Sequence, residues 1–146
     1  MKDLITTAKI GFNVNKINPL WYLAMGIVTM ALTHMSFSIE IMAWISSVPF
    51  LVYLSLTKGW KSRLTFSFAL LLAWSSVVTK IVTDPIPLVL VFLYSIPLSL
   101  FHLPGYLLWS KFKNQKNALF VFPAVMVILE WVQYSFTPFA SWGIAA

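Results

Sequence analysis

Apolar residues come along this chain in five long runs separated by short polar breaks, covering roughly 20–37, 39–56, 64–83, 87–109 and 118–136. A helix of about 20 such residues, rising about 1.5 Å each, reaches across a hydrocarbon core of about 30 Å. Asn18-Pro19 marks the first start, with Trp21 and Tyr22 in the place of an interfacial aromatic belt. Almost no loop separates the first two runs, and Pro49 interrupts the second, so this pair is expected to form a tight hairpin or a shallow re-entrant pair. Near the end of the third run Ser76, Thr79, Lys80 and Thr83 recur at helical spacing, a stripe suited to a neighbouring helix or a wet cavity. Asp84-Pro85-Ile86-Pro87 is a turn. The fourth run contains Pro97 and Pro104-Gly105 and is expected to kink or break there. The pattern predicts an all-α fold, a polytopic membrane bundle of about five spans over 20–146. It follows a segment 1–19 whose Lys2, Lys9 and Lys16 suit a short interfacial helix. A cleaved signal peptide is the competing reading of the first run, but no small-residue cleavage site follows it.

Composition strengthens the membrane reading. With 60% hydrophobic and 10% charged residues in 146, and a mean hydropathy of +0.85, the chain holds more apolar surface than a soluble domain of this size buries. The net charge of +6 does not point to nucleic acid, because the basic residues stand in small groups at the ends of apolar runs. The amino terminus, the break after the second run (Lys58, Lys61, Arg63) and the break after the fourth (Lys111, Lys113, Lys116) hold nine of the ten, leaving Lys80 opposite. By the positive-inside rule the amino terminus is cytoplasmic and the carboxyl end outside, with membrane phospholipid as the expected partner.

The absence of cysteine excludes structural disulfides, thiolate metal sites and a cysteine nucleophile on these residues. His34 and His102 stand alone, which favours interhelical hydrogen bonds over a metal centre, and no glycine-rich phosphate loop or hydrolase elbow suggests a cofactor. Lys80 is expected to snorkel to the interface or meet Asp84, and Glu40 to cap the second run.

The most specific stretch is Phe122 to Gly143. Glu130, Gln133, Tyr134 and Thr137 recur at i, i+3, i+4 and i+7 on one predicted helical stripe, with Val121, Val125, Ile128 and Val132 on the other side. A carboxylate inside an apolar span must face protein or water. The chain then runs through Thr137-Pro138-Phe139 to an apolar tail without a polar cap, which predicts that the native product continues past residue 146.

A lysine-rich loop, Phe122-Pro123, Glu130-Trp131 and an exit through Thr137-Pro138-Phe139 to Ser141-Trp142-Gly143 resemble the central membrane region of apolipoprotein N-acyltransferases. The specific likeness covers about the last 30 residues. Gln133 stands where that family often has arginine, and Pro138 with Ala140-Ser141 changes the spacing of the exit. The resemblance implies transfer of a phospholipid acyl chain to the amino-terminal amine of a bacterial lipoprotein. It implies a Glu-Lys-Cys triad in a nitrilase-like domain that is not among these residues, so this polypeptide alone is not expected to turn over substrate. The membrane part would anchor that domain in the bacterial inner membrane and help form a lipid cavity. Glu130, Trp131, Tyr134, Thr137, Phe139 and Trp142 are the candidate substrate or lipid contacts, with no catalytic or metal-binding residue. A small standalone membrane scaffold and a transporter subunit are the alternatives. Loss of a partner's assembly marks the first, while the proline-broken fourth run and the polar stripe are the only support for the second.

Overall fold

The computed structural model describes residues 18–33, 39–80, 87–115 and 118–136, and among these every element is helical, with no strand. The order is α1 (Leu20–Ala31), α2 (Glu40–Ile45), α3 (Ser47–Leu56), α4 (Trp60–Val78), α5 (Leu88–Phe112) and α6 (Ala118–Phe136). α5, with 25 residues, is the one helix among them that is long and apolar enough to cross a membrane by length and composition.

The first two predicted runs give short helices. α1 has 12 residues and so rises about 18 Å, well short of a bilayer core. The Ile39 N–H donates to the Leu32 carbonyl at 2.8 Å, and α1 packs against both α2 and α3. The second run divides at Ser46, which keeps right-handed helical torsions (φ −58°, ψ −32°). Proline has no N–H, so Pro49 cannot donate to the Ile45 carbonyl four residues back, and the hydrogen-bond ladder lapses at this point.

α4 begins at Trp60 rather than near 64, so Lys61 and Arg63 belong to its first turn and not to a loop. Gly59 precedes it with φ +96°, the left-handed region that glycine enters at no steric cost. α5 departs from expectation in the other direction: it continues through both Pro97 and Pro104 instead of breaking. Each proline removes one ladder bond, and packing against α4 and α6 on two sides holds the helix across the gaps. Pro123, early in α6, is likewise accommodated.

α4 and α5 form the centre, with α1 and α3 on one flank and α6 on the other. The inward stripe of α4 (Phe66, Ala69, Leu70, Ala73, Trp74, Val77) repeats at three- and four-residue steps, as one face of a helix must. Phe50, Phe66 and Tyr106 interlock there: Phe50 meets Phe66 edge-on at 5.7 Å and Tyr106 edge-on at 5.9 Å. Such ring pairs are each worth about 0.5–1.5 kcal/mol beyond the area they bury.

The outside of the bundle is as apolar as its inside. On α5 the buried set includes Ser95, Ser99 and His102, whereas Leu88 (73%), Val89 (76%), Leu93 and Leu100 are exposed. The same helix therefore turns Ser95, Ser99 and His102 inward beside Val91, Leu98 and Tyr106, and leaves most of its other large aliphatic side chains outside.

Candidate functional site

The carboxyl-terminal candidates divide between residues the structure describes and residues it does not. Thr137, Phe139 and Trp142 lie outside the described residues, as do His34, Thr83 and Asp84. Glu130, Trp131 and Tyr134 lie in the second half of α6.

α6 packs against α5 through Phe122, Met126 and Leu129, spaced by four and three residues, and Gln133, four residues further on, is buried as well. Phe122 reaches the Tyr106 ring at 4.9 Å, and Met126 and Leu129 lie over Gly105. The predicted polar stripe consequently splits. Gln133 is buried at 2% exposure, Glu130 is half-buried at the flank of the packed face, and Tyr134 is exposed. Trp131 is exposed at 61% and meets the Phe136 ring edge-on at 6.0 Å. A helix turns about 100° per residue, so Gln133 and Tyr134 point that far apart, and here Gln133 is buried while Tyr134 falls outside the packed face. Of the predicted contacts, Trp131 and Tyr134 thus share the outer side of α6, with Glu130 at the boundary between the two sides.

The remaining polar predictions resolve within the bundle. Ser76 Oγ donates to the Ala73 carbonyl at 2.6 Å and Thr79 Oγ1 to the Ser76 carbonyl at 2.9 Å, so these two hydroxyls bond their own helix, while Lys80 of the same stripe reaches a neighbouring one. Lys80 donates to the Ala31 carbonyl at the carboxyl end of α1, where a cation meets the negative end of the helix dipole. His102 Nδ1 lies 2.8 Å from the Leu98 carbonyl and its ring packs 4.6 Å from Trp74 on α4. Among the described residues no three acidic or histidine side chains converge on a metal position.

A second polar constellation, read in the sequence only as membrane anchoring, forms where α3 passes to α4 and α5 ends. Lys113 Nζ donates to the carbonyls of Leu54 (2.7 Å) and Ser55 (3.1 Å), tying the end of α5 to the last turn of α3. Thr57 Oγ1 donates to the Tyr53 carbonyl at 2.7 Å, and Ser62 Oγ donates to Thr57 Oγ1 at 2.6 Å. The Tyr53 hydroxyl donates to the Ser62 carbonyl at 3.3 Å. Burial, and then the Lys58 ammonium, hold Lys113 below the ordinary lysine range. The signal in the sequence was the interleaving of hydroxyls with cations, Thr57-Lys58 and Ser62-Arg63 against Ser110 and Lys113, which composition alone did not separate from a juxtamembrane cluster.

This constellation and Glu130 mark opposite ends of the bundle, since α6 leaves the first and reaches the second about 18 Å of helix rise beyond Ala118. No protein family, curated protein or solved structure matches the chain.

Proposed function

We propose that the chain is a polytopic helical membrane domain, the membrane-anchoring part of an apolipoprotein N-acyltransferase-like enzyme of the bacterial inner membrane. The observation that carries the membrane reading is the distribution of side chains on α5, which buries Ser95, Ser99 and His102 beside Val91 and Leu98 and exposes Leu88, Val89, Leu93 and Leu100. In water that arrangement leaves large apolar side chains hydrated while polar ones occupy the core. In hydrocarbon it is the favoured one, because lipid tails accept leucine and the interior satisfies hydroxyls.

Orientation follows from charge. Lys58, Lys61, Arg63, Lys111 and Lys113 stand at one end of the described bundle and Lys80 at the other. The basic end is then cytoplasmic, and Glu130, Trp131 and Tyr134 approach the outer leaflet, where a phospholipid acyl donor for lipoproteins would be met. With no cysteine, these residues supply no thiol nucleophile of the kind that the resemblance implies, and their part is to hold and orient. The acyltransferase part of the proposal rests on the resemblance of Phe122-Pro123, Glu130-Trp131 and the exit through Trp142.

The cysteine-free background makes the test direct. Single cysteines introduced at Ser141 and Asn114 are treated with an impermeant thiol reagent: Ser141→Cys is expected to label in intact cells and Asn114→Cys only after permeabilisation. The reverse pattern sinks the orientation, and free labelling of soluble protein at both sites sinks the membrane reading. Mass spectrometry of lipoproteins from cells depleted of the native product then checks the chemistry. Accumulation of lipoproteins with a free amino-terminal amine is expected, and unchanged acylation leaves a scaffold role instead.

A further inference from the structure

At the basic end of the bundle a cavity of about 280 Å³ is lined by Lys58, Arg63 and Lys113, with the hydroxyl-bearing Thr57, Ser62 and Ser110 among them. The cations come from the α3–α4 turn, the first turn of α4 and the end of α5, so the tertiary fold brings them together. Lys113 is fixed by the carbonyls of Leu54 and Ser55. The side chains of Lys58 and Arg63 have no hydrogen-bond or ion-pair partner among the described residues. Glu130 is the one acidic residue whose side chain is described, and it stands at the far end of α6.

Two further observations sharpen the polarity of this corner. α4 begins here with no acidic residue in its first turn and no side-chain cap at Gly59, so the partial positive charge of its amino terminus adds to three cations. Ser110 differs from Ser95 and Ser99 on the same helix. Those two return their hydroxyls to the helix carbonyls of Val91 and Ile96, whereas the Ser110 hydroxyl has no partner among the described residues. A juxtamembrane lysine cluster accounts for cations near a membrane. It does not account for their convergence, with an unspent hydroxyl, on one concave space.

We propose that this cavity binds a phosphate group, with Lys58 and Arg63 as charge-pairing residues, Ser110 as a hydroxyl donor and Lys113 as a fixed cation. The phosphodiester of an anionic phospholipid and a free phosphate present the same chemistry. The volume lies at the small end of ligand cavities, about 300–1,000 Å³, and suits a headgroup rather than a whole lipid. Arginine supplies a planar fork for phosphate oxygens and lysine a point charge, a pairing suited to a phosphodiester. The site lies at the opposite end of α6 from Glu130 and so is separate from the candidate acyl-donor contacts. Its lipid source rests on the membrane reading, while the cavity itself does not.

The full chain is purified into nanodiscs of equal parts phosphatidylcholine and phosphatidylglycerol, and the lipid it retains is identified by native mass spectrometry. In parallel, the detergent-solubilised chain is titrated with inorganic phosphate and its thermal unfolding followed. Preferential retention of phosphatidylglycerol assigns the phosphate to lipid, and stabilisation by inorganic phosphate without a lipid preference assigns it to a soluble source. Lys58→Gln/Arg63→Gln is expected to weaken binding roughly 30-fold, equivalent to about 2 kcal/mol at about 1.4 kcal/mol per tenfold. Lys61→Gln/Lys111→Gln, which removes the same charge outside the cavity, is expected to leave binding unchanged. Ser110→Leu, which keeps every charge and narrows the cavity, is expected to weaken it. Equal losses in the two double variants, or no response to either phosphatidylglycerol or inorganic phosphate, overturns the proposal. A chain that refuses the nanodisc defeats the membrane reading alone, because the phosphate titration still reads the cavity.

Discussion

Gly26 and Gly105 invite the same substitution and should answer it with opposite signs. A Cβ at Gly26 lands 2.5 Å from Phe50 Cε1 and 2.7 Å from its Cδ1 and Cζ. Carbon atoms rest about 3.5–4.0 Å apart, so the ring or the helix must yield by about 1 Å. Phe50 is fully buried and gripped edge-on by Phe66 and Tyr106, so the displacement passes into the aromatic core. Overpacking of this kind costs about 1–3 kcal/mol, and the upper end applies where the obstacle is a clamped ring. Replacing glycine by alanine within a helix returns about 1 kcal/mol. Gly26→Ala is therefore expected to destabilise by about 2 kcal/mol. At Gly105 the obstacle is Met126 Sδ at 2.6 Å, with Leu129 Cδ1 at 3.5 Å. A thioether rotates aside at small cost, so Gly105→Ala is expected to be neutral or to stabilise by up to about 1 kcal/mol. The two variants, purified in the same mild detergent and unfolded with increasing dodecyl sulfate under circular dichroism, are compared at their midpoints. A Gly26→Ala midpoint equal to or above that of Gly105→Ala refutes the packing of α1 on Phe50.

Three further outcomes are expected. Tyr22 buries a hydroxyl that has no partner among the described residues, so Tyr22→Phe should be neutral or stabilise by about 1–3 kcal/mol, and a clear loss in the unfolding midpoint would reveal a bond to that hydroxyl. Tyr106 donates its O–H to Ser47 Oγ at 3.1 Å, linking α5 to α3; Tyr106→Phe and Ser47→Ala should each cost about 1 kcal/mol and the double variant less than their sum, whereas strict additivity denies the bond. Lys113 is held below the ordinary lysine value of 10.5, so between its lowered value and 10.5 the unfolded chain binds more protons and stability rises with pH. Unfolding midpoints across that alkaline window should show the rise, Lys113→Gln should flatten it, and a fall with pH contradicts the assigned burial.

The helical class and the approximate positions of the elements were legible because Pro, Asn and Lys punctuate the apolar runs, as at Asn18-Pro19, but five predicted runs became six helices among the described residues, of which α5 alone has spanning length. Their faces were not, because helices that are apolar on all sides give no amphipathic stripe. On α5 the inward face mixes Ser95, Ser99, His102 and Gly105 with Val91, Leu98 and Tyr106, and Leu98 goes inward while Leu93 and Leu100 stay outside, so the leucines alone do not mark it. The expectation was that Pro97 and Pro104 would kink or break this helix; it does not break, because neighbouring helices hold it across the lost backbone bonds. At Ser46 the local effect of Pro49 did prevail, in the short pair α2 and α3. The stripe from Glu130 to Tyr134 shows the limit of spacing alone. Residues at i+3 and i+4 straddle the edge of a packed face, and spacing does not decide that Gln133 is buried while Tyr134 is exposed.

The two ends of the bundle differ in how firmly their charges are placed, and this difference bears on their roles. At the basic end Lys113 is tied to the carbonyls that close α3, and Thr57, Ser62 and Tyr53 form a chain of bonds around the α3–α4 turn. The relative positions of Lys58 and Arg63 are thereby set by backbone that is itself held, which lowers the ordering cost of binding an anion between them. At the other end Glu130 and Trp131 sit on α6, which packs against α5 on one side and leaves Val127, Ile128 and Trp131 exposed on the other. A contact made there depends on what covers that outer face, whereas the basic cavity takes its shape from α3, α4 and α5. On the proposed orientation the cytoplasmic end is thus the anchored one, fixing the bundle against the inner leaflet, and the α6 end is the one left to adapt to an acyl chain.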